Sequence, residues 1–511
     1  MKKYFIVLFA SLNLLSCNKF LDELPRTKTD VNTFFSSQAD FELAINGAYA
    51  ALRNVYGSKS AWIMGEMRSD NTHYDYKASD QAIVVVDRYN VANFTDDQYN
   101  SQTAAKWNTA YNAISAANNI LDHINDISFN SKDYVEGQAR FIRALCYFEL
   151  VRYYGGVPLY TSQARSREET YLGRSTVEEV YALIEADLTD AGLKLPLPTF
   201  PQNAKATKGA AFTLLADVYI TQKKFAAAEP LLKQVTEMNY SLWSNYSDAF
   251  ELANKNGKES IFEIQYDANL ATPQASNFIY NFIPRMTSSA VITGPSQNTI
   301  TDLGGFNTPT SDLINTYEGG DKRLDASIAI AEGTFDNNDT FTATALNSIV
   351  NYTAPPGKIG RPFIKKYLHP HTIANQTNDN WPVYRYAETL LLLAESLNEQ
   401  GKSNEALAYL NQVRTRAGLA SLTVSDVEAL REAIRRERRV ELAFENKRWL
   451  DLVRAGKAIS VMSAYGALQK QQYSYLTPET YNVTENRLLF PVPYAEMQLN
   501  MKLSGQQNPG Y

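Results

Sequence analysis

Along most of the chain apolar residues recur every three to four positions. From Phe141 they fall at Ala144, Leu145, Phe148, Val151 and Tyr154, one face of a helix. That face stops at Gly155-Gly156 and Pro158, which break the pattern. Ser37-x-x-Asp40, Asp133-x-x-Glu136, Ser175-x-x-Glu178 and Ser425-x-x-Glu428 have capping-box spacing and predict helix starts. Two stretches read alike at a constant offset: "LLADVYITQKKFAAAEPLLKQV" from Leu214 and "LLAESLNEQGKSNEALAYLNQV" from Leu392. Each predicts helix, tight turn, helix, with small residues where the two helices approach, which is the tetratricopeptide arrangement. The copies stand far apart, so an open solenoid is not expected.

The expected fold is mainly α: a tetratricopeptide-like helical-pair scaffold over about 37–61, 101–261 and 383–460, with a C-terminal segment 461–511. Loop-rich insertions at about 62–100 and 262–382 make an irregular subdomain. They carry Asn, Asp, Thr, Gly, Pro and aromatics without helical periodicity, and "SIFEIQY" and "AIVVVDRY" predict strands. Long ordered insertions on a rigid scaffold are where binding residues concentrate.

The first residues have another character. Lys2 and Lys3 precede an apolar run from Tyr4 to Leu15, shorter than the roughly 20 residues that span a bilayer. This is the pattern of an export signal. Leu14-Leu15-Ser16-Cys17 resembles the bacterial lipobox, which makes 1–16 a lipoprotein signal peptide, Cys17 the lipidated residue and 17–36 an anchoring linker. A plain secretory signal and an uncleaved anchor helix are the alternatives. Two acyl chains suffice for stable anchoring. No later segment is apolar for 18 residues in a row.

Net charge is −6 and no Lys/Arg block stands apart from acids, which excludes the basic face that nucleic acid needs. With Cys17 lipidated, Cys146 has no disulfide partner; in "RALCYFEL" it reads as an inert core thiol. The alternating charges of Arg431–Arg454 read as a salt-bridged structural helix through Glu432–Arg436, Lys447–Asp451 and Glu445–Arg448, with some charges buried as pairs between helices. Trp107 and Trp449 belong to the core of scaffold helices. Proline inside His369-Pro370-His371 makes a turn of that pair rather than a zinc site, and "DNNDT" from Asp336 lacks the calcium loop's glycine and terminal glutamate. No nucleophile elbow, phosphate loop or H-E-x-x-H helix occurs, so no catalytic residue, cofactor or metal is expected. The 32 tyrosines suit recognition of sugar or peptide, since each offers an apolar face and a hydrogen-bonding tip.

Several motifs in order resemble the SusD/RagB nutrient-uptake outer-membrane lipoproteins. They are "CNKFLDELP", "WNTAYNAISAANNIL" from Trp107, "GQARFIRALCYFELVRYYGGVPL" from Gly137 and "YRYAETLLLLAESLNEQG" from Tyr384. "IRRERRVELAFENKRWLDLVR" from Ile434, "RLLFPVPYAEMQLN" and the terminal "QNPGY" complete the set. The resemblance implies a non-enzymatic surface lipoprotein that captures an oligosaccharide and passes it to a SusC-like TonB-dependent transporter. RagB-like members imply peptide uptake instead, and a surface glycosidase and a purely structural scaffold are the remaining alternatives. Asp22-Glu23 fits the family's acidic surface-export tag loosely, implying an outer-membrane anchor facing the exterior.

For the ligand, "MRSDNTHYDYKASD" from Met67 gathers Asp70, Asn71, His73, Tyr74 and Tyr76, carboxylate and amide groups for hydroxyls and rings for a pyranose face. The resemblance places part of the family's glycan site here. "NFIYNFIPRM" would supply a second wall with Tyr280, Phe282 and Arg285.

Overall fold

The structure, a computed structural model, describes residues 34–296, 304–337, 339–424 and 426–511. The expected signal peptide, Cys17 and nearly all of the linker lie outside these residues. None of the described helices is long and apolar enough to cross a membrane.

Helix α1 (Gln38–Gly57) starts where the sequence predicts: Ser37 and Asp40 cap one another reciprocally. Helix α2 (Ile83–Asn93) is a correction, because "AIVVVDRY" reads as a strand. Its run of valines favours β structure only where a pleated surface receives them. Here Ile83 and Val84 face solvent, while Asp87, Arg88, Val91 and Ala92 are buried at helical spacing. Helix α3 (Ser101–His123) is capped by Asn100, whose side chain accepts from the amides of Gln102 and Thr103. Helix α4 (Lys132–Tyr154) is the central element, buried along most of its length. It ends at Gly155, whose φ of +75° stops the helix. Asp133 and Glu136 form no capping box there. In α5 (Val177–Lys194) the box falls one residue later than expected, on Thr176 and Glu179.

The two similar stretches form α6 (Lys208–Thr221) with α7 (Phe225–Thr236), and α8 (Tyr386–Asn398) with α9 (Ser403–Arg416). Lys223 and Gly401, equivalent in the two turns, are both left-handed, at φ +60° and +74°. Helices α4 to α9 and then α10 (Val427–Glu441) pack in succession. Residues 237–385 leave the stack after α7, yet α8 returns directly against it. Ser396 donates to the Phe225 carbonyl at 2.7 Å, and Lys402 pairs with Glu229 at 2.6 Å. The scaffold is therefore interrupted in sequence and continuous in space. Helices α11 (Arg448–Arg454), α12 (Ala458–Gln472) and α13 (Tyr494–Leu499) follow. Asp426 caps α10, accepting from the Ala429 amide; Ser425 lies outside the described residues.

The insertions carry the strands. β1 (Thr72–His73) pairs with β3 (Thr308–Pro309), stitching the first insertion to the second. β2 (Ser260–Ile264), expected from "SIFEIQY", pairs with β7 (Trp381–Arg385) at the neck. β4 (Ile328–Phe335), β5 (Phe341–Ser348) and β6 (Ile359–Ile364) form an antiparallel sheet in the order β5-β4-β6. A small separate core under this sheet includes Ile279, Tyr280, Ile283, Phe341 and Phe363.

A buried ionic lattice fastens insertion to scaffold. Arg385 donates to Glu259, Glu441 and Glu445 at 2.8–2.9 Å, and Lys366 reaches Glu445 at 2.8 Å. Arg323 joins Asp321, Glu437 and Glu441, and all of these side chains are at most 3% exposed. Burial opposes ionisation of Glu441, but Arg416, Arg385 and Arg323 outweigh it and hold its carboxyl at about 2. Charges of the 431–454 run are thus buried as pairs between elements. The particular partners differ from those expected. Glu432 bonds Arg435, one position short of the expected Arg436, while Lys447 bonds Glu388 and Glu445 bonds Arg385 and Lys366, tertiary partners that displace the helical neighbours. Cys146, Trp107 and Trp449 are buried, and burial pushes the Cys146 thiol up.

Candidate functional site

Strand β1 and the residues after it bring one aromatic group after another to a single place. Tyr74, Asp75 and Tyr76 follow the strand; α2 supplies Tyr89; the chain leaving α12 supplies Tyr473 and Tyr475. The buried floor is a continuous stack. His73 lies on Tyr74 with ring centres 4.4 Å apart and on Tyr473 at 5.0 Å, and Tyr74 lies on Tyr89 at 4.1 Å. Burial drives His73 down to about 3, so its ring is neutral, and its Nε2 sits 2.8 Å from the Tyr475 hydroxyl. Asn93 donates to the Tyr74 hydroxyl at 2.6 Å, and Tyr89 donates to Asp80 at 2.5 Å.

On this floor stands an open platform. Tyr76 stacks on Tyr475 at 4.0 Å and 15°, and Tyr76 is 39% exposed. Tyr473 and Tyr475 are half-buried beside it. The rim is charged but balanced. Arg285 grips Asp80 with two bonds of 2.6 and 2.9 Å, and its backbone amide donates to Asp75 at 2.9 Å. Arg361 of β6 pairs with the other oxygen of Asp75. Asp75 also meets Gly305 closely: the glycine has φ +80°, and an added Cβ would sit 2.9 Å from the Asp75 Cβ. Any side chain there would have to displace Asp75 or Arg285. Half-buried arginines and aspartates beside flat rings can bond hydroxyls around the edge of a sugar ring while tyrosine covers its apolar face.

The residues singled out in the sequence divide. Tyr76 and Arg285 are on the platform and its rim, and His73 and Tyr74 are its buried support. Four others are corrections. Asp70 is buried and holds Arg448 through bonds of 2.7 and 2.8 Å, with Arg439 at 3.0 Å. Asn71 donates to Glu66 and accepts from Arg439, each at 2.9 Å. Burial raises the Glu66 carboxyl to about 7 even though it accepts from Asn71 and the Phe444 and Asn446 amides. Phe282 is 1% exposed, edge-on to Trp62. Tyr280 is in the small core, its hydroxyl 2.7 Å from His371 Nε2. These four are internal because the insertion must bury apolar area and pair its own charges to stay ordered. His369, of the same pair as His371, bonds Asp379.

Tyr473, Tyr475, Tyr89 and Arg361 complete the site beyond the residues that the sequence suggests. A signal existed: "YSY" at 473–475 repeats the spacing of "YDY" at 74–76.

Known proteins match over the whole length. The SusD family model matches residues 258–511, and a second family model, described as starch-binding and associating with the outer membrane, matches 19–220. A SusD-like protein of Formosa agariphila is 30% identical over 543 residues, covering 100% of both chains. A laminarin-binding SusD-like protein of known structure has a TM-score of 0.74 and 25% identity, covering 93% of this chain and 100% of its own. A SusD homologue of Bacteroides thetaiotaomicron has a TM-score of 0.76 and 23% identity, covering 95% and 99%. The helical scaffold with its inserted subdomain, matched end to end by these relatives, belongs to a member of the SusD family.

Proposed function

We propose that the protein is a non-catalytic, cell-surface glycan-binding lipoprotein. It is anchored through Cys17 in the outer membrane and passes its oligosaccharide to a SusC-like TonB-dependent transporter. The observation that carries the reading is the Tyr76–Tyr475 platform, a solvent-facing stack braced by buried rings and edged by Arg285 and Arg361. Family membership supports it, and a similar protein binds laminarin. Tyr76 and Tyr475 cover the apolar face of a sugar; Arg285, Asp75 and Arg361 bond its hydroxyls. A rigid platform loses little entropy on binding, and its shallowness gives the modest affinity that release to a transporter requires.

Isothermal titration against a panel of soluble polysaccharides tests the class, followed by overnight incubation and product analysis. Binding with unchanged chain length supports capture. Shortened products overturn it in favour of a glycosidase, and binding of peptides alone in favour of RagB-like uptake. For the anchor, the wild type grown with labelled palmitate carries the label, whereas Cys17→Ser loses both label and membrane association. A Cys17→Ser protein that stays labelled refutes lipidation at that residue.

A further inference from the structure

A cleft of about 580 Å³ lies elsewhere, between α3, the segment 158–171 and α13, and shares no residue with the platform. Its size falls in the range of small-molecule sites. The walls are aromatic: Tyr111 and Tyr160 stand at 83° with ring centres 5.6 Å apart, and Trp107 packs on Tyr111 at 5.1 Å. Both tyrosine hydroxyls are engaged by backbone, Tyr111 donating to Pro158 at 2.8 Å and Tyr160 to Thr170 at 2.7 Å. The ring faces are what remain for a ligand.

The polar groups between the rings are different. Gln163 Oε1 is buried without a hydrogen-bond partner. The half-buried Glu496 carboxylate has no hydrogen bond or ion pair with any described residue, and burial alone raises it. Exposed Asn108 and Asn112 add amides along α3. No Lys, Arg or His is among the described residues lining the cleft. The Gln163 amide can accept or donate, but the Glu496 carboxylate can only accept, so a ligand that fills the cleft must bring at least one hydrogen-bond donor. An apolar ligand would leave these groups unmet, and an acidic one would place like charge against Glu496 with no cation among the lining residues to pair with it.

We infer that this cleft is a second carbohydrate subsite, selective for an uncharged oligosaccharide segment and closed to uronates and sulfated sugars. It rests on the proposed glycan-binding role and adds a site and a charge preference to it. Sugar hydroxyls donate to Glu496 and bond the Gln163 amide while ring faces pack on Tyr111 and Tyr160.

Hydrogen exchange read by mass spectrometry on the full chain tests this. The probes are maltohexaose, laminarihexaose and xylohexaose, with tri-galacturonate as the acidic counterpart. The expected result is that a neutral hexasaccharide slows exchange in residues 107–118 and 158–171, in wild type and in Tyr76→Ala, and tri-galacturonate does not. Glu496→Ala combined with Gln163→Ala weakens that protection at least tenfold in apparent affinity, while residues 73–76 and 473–475 still respond. Protection only at the platform overturns the inference and leaves the proposed function standing. Protection only at the cleft supports the inference and removes the platform from the proposal. No protection at the cleft by any neutral probe, or equal protection by tri-galacturonate, overturns it.

Discussion

Asp70 reads in the sequence as a ligand carboxylate and in the structure as a brace, and the two roles predict different outcomes for Asp70→Asn. The side chain is 4% exposed, held between Arg448, 13% exposed, and Arg439, 10% exposed. Asparagine keeps the shape but removes the charge and turns an amide toward a guanidinium. Breaking a buried pair costs about 3–5 kcal/mol. Arg439 keeps a second carboxylate, Asp312 at 2.6 Å, so one guanidinium rather than two is stranded. The lower end applies, about 3 kcal/mol, or a urea midpoint lower by roughly 1 M at an m-value of ~3 kcal/mol/M. The pH dependence has a definite sign. Burial raises the Asp70 carboxyl, but Arg448 and Arg439 outweigh it and leave it below the ordinary value. Its contribution is present above the unfolded value of about 3.9 and is lost as pH falls through the lower folded value. The gap between wild type and Asp70→Asn should therefore be constant from pH 8 to 5 and narrow below about pH 4. Urea titrations followed by circular dichroism measure it, with glycan affinity determined on the folded protein. A hundredfold loss of glycan binding at an unchanged midpoint would refute the reasoning and return Asp70 to the ligand.

Arg385→Ala removes a cation shared by three buried carboxylates, which keep Arg416 (Glu259 and Glu441), Arg323 (Glu441) and Lys366 (Glu445), so the lower end of the range applies, about 3 kcal/mol, with limited proteolysis now cutting between residues 262 and 382; a protease-resistant variant of unchanged midpoint would contradict the lattice's role. Lys223→Gly relieves a left-handed turn that glycine adopts freely and should raise stability by about 0.5–1 kcal/mol, while Gly401→Lys lowers it by a similar amount. The same urea titration reads both, and equal midpoints would contradict the equivalence of the two turns.

The scaffold is legible because its signals are local. The repeat at Leu214 and Leu392, the cap at Ser37 and the stop at Gly155 are each set by residues within a few turns. The insertions resist reading because their contacts are distant. Asp70 finds Arg448, and His73 finds Tyr475, some 400 residues away. The valines of α2 show the same limit, their β preference overridden by the face that tertiary packing chose. A candidate segment is therefore recognisable at 67–80, but which of its side chains face water is decided by partners that composition does not name.

The central claim is that the Tyr76–Tyr475 stack, open to solvent on Tyr76, grips the glycan. Tyr76 leaves 39% of a side chain of roughly 200 Å² open, about 80 Å², which at ~25 cal/mol/Å² is worth about 2 kcal/mol if a sugar covers it. Isothermal titration of the best-binding neutral hexasaccharide against wild type and Tyr76→Ala measures this directly, with hydrogen exchange in residues 107–118 and 158–171 followed in parallel to separate the cleft. The account predicts a 10- to 30-fold weaker platform affinity with the fold intact. Wild-type affinity retained in both Tyr76→Ala and Tyr475→Ala would contradict it.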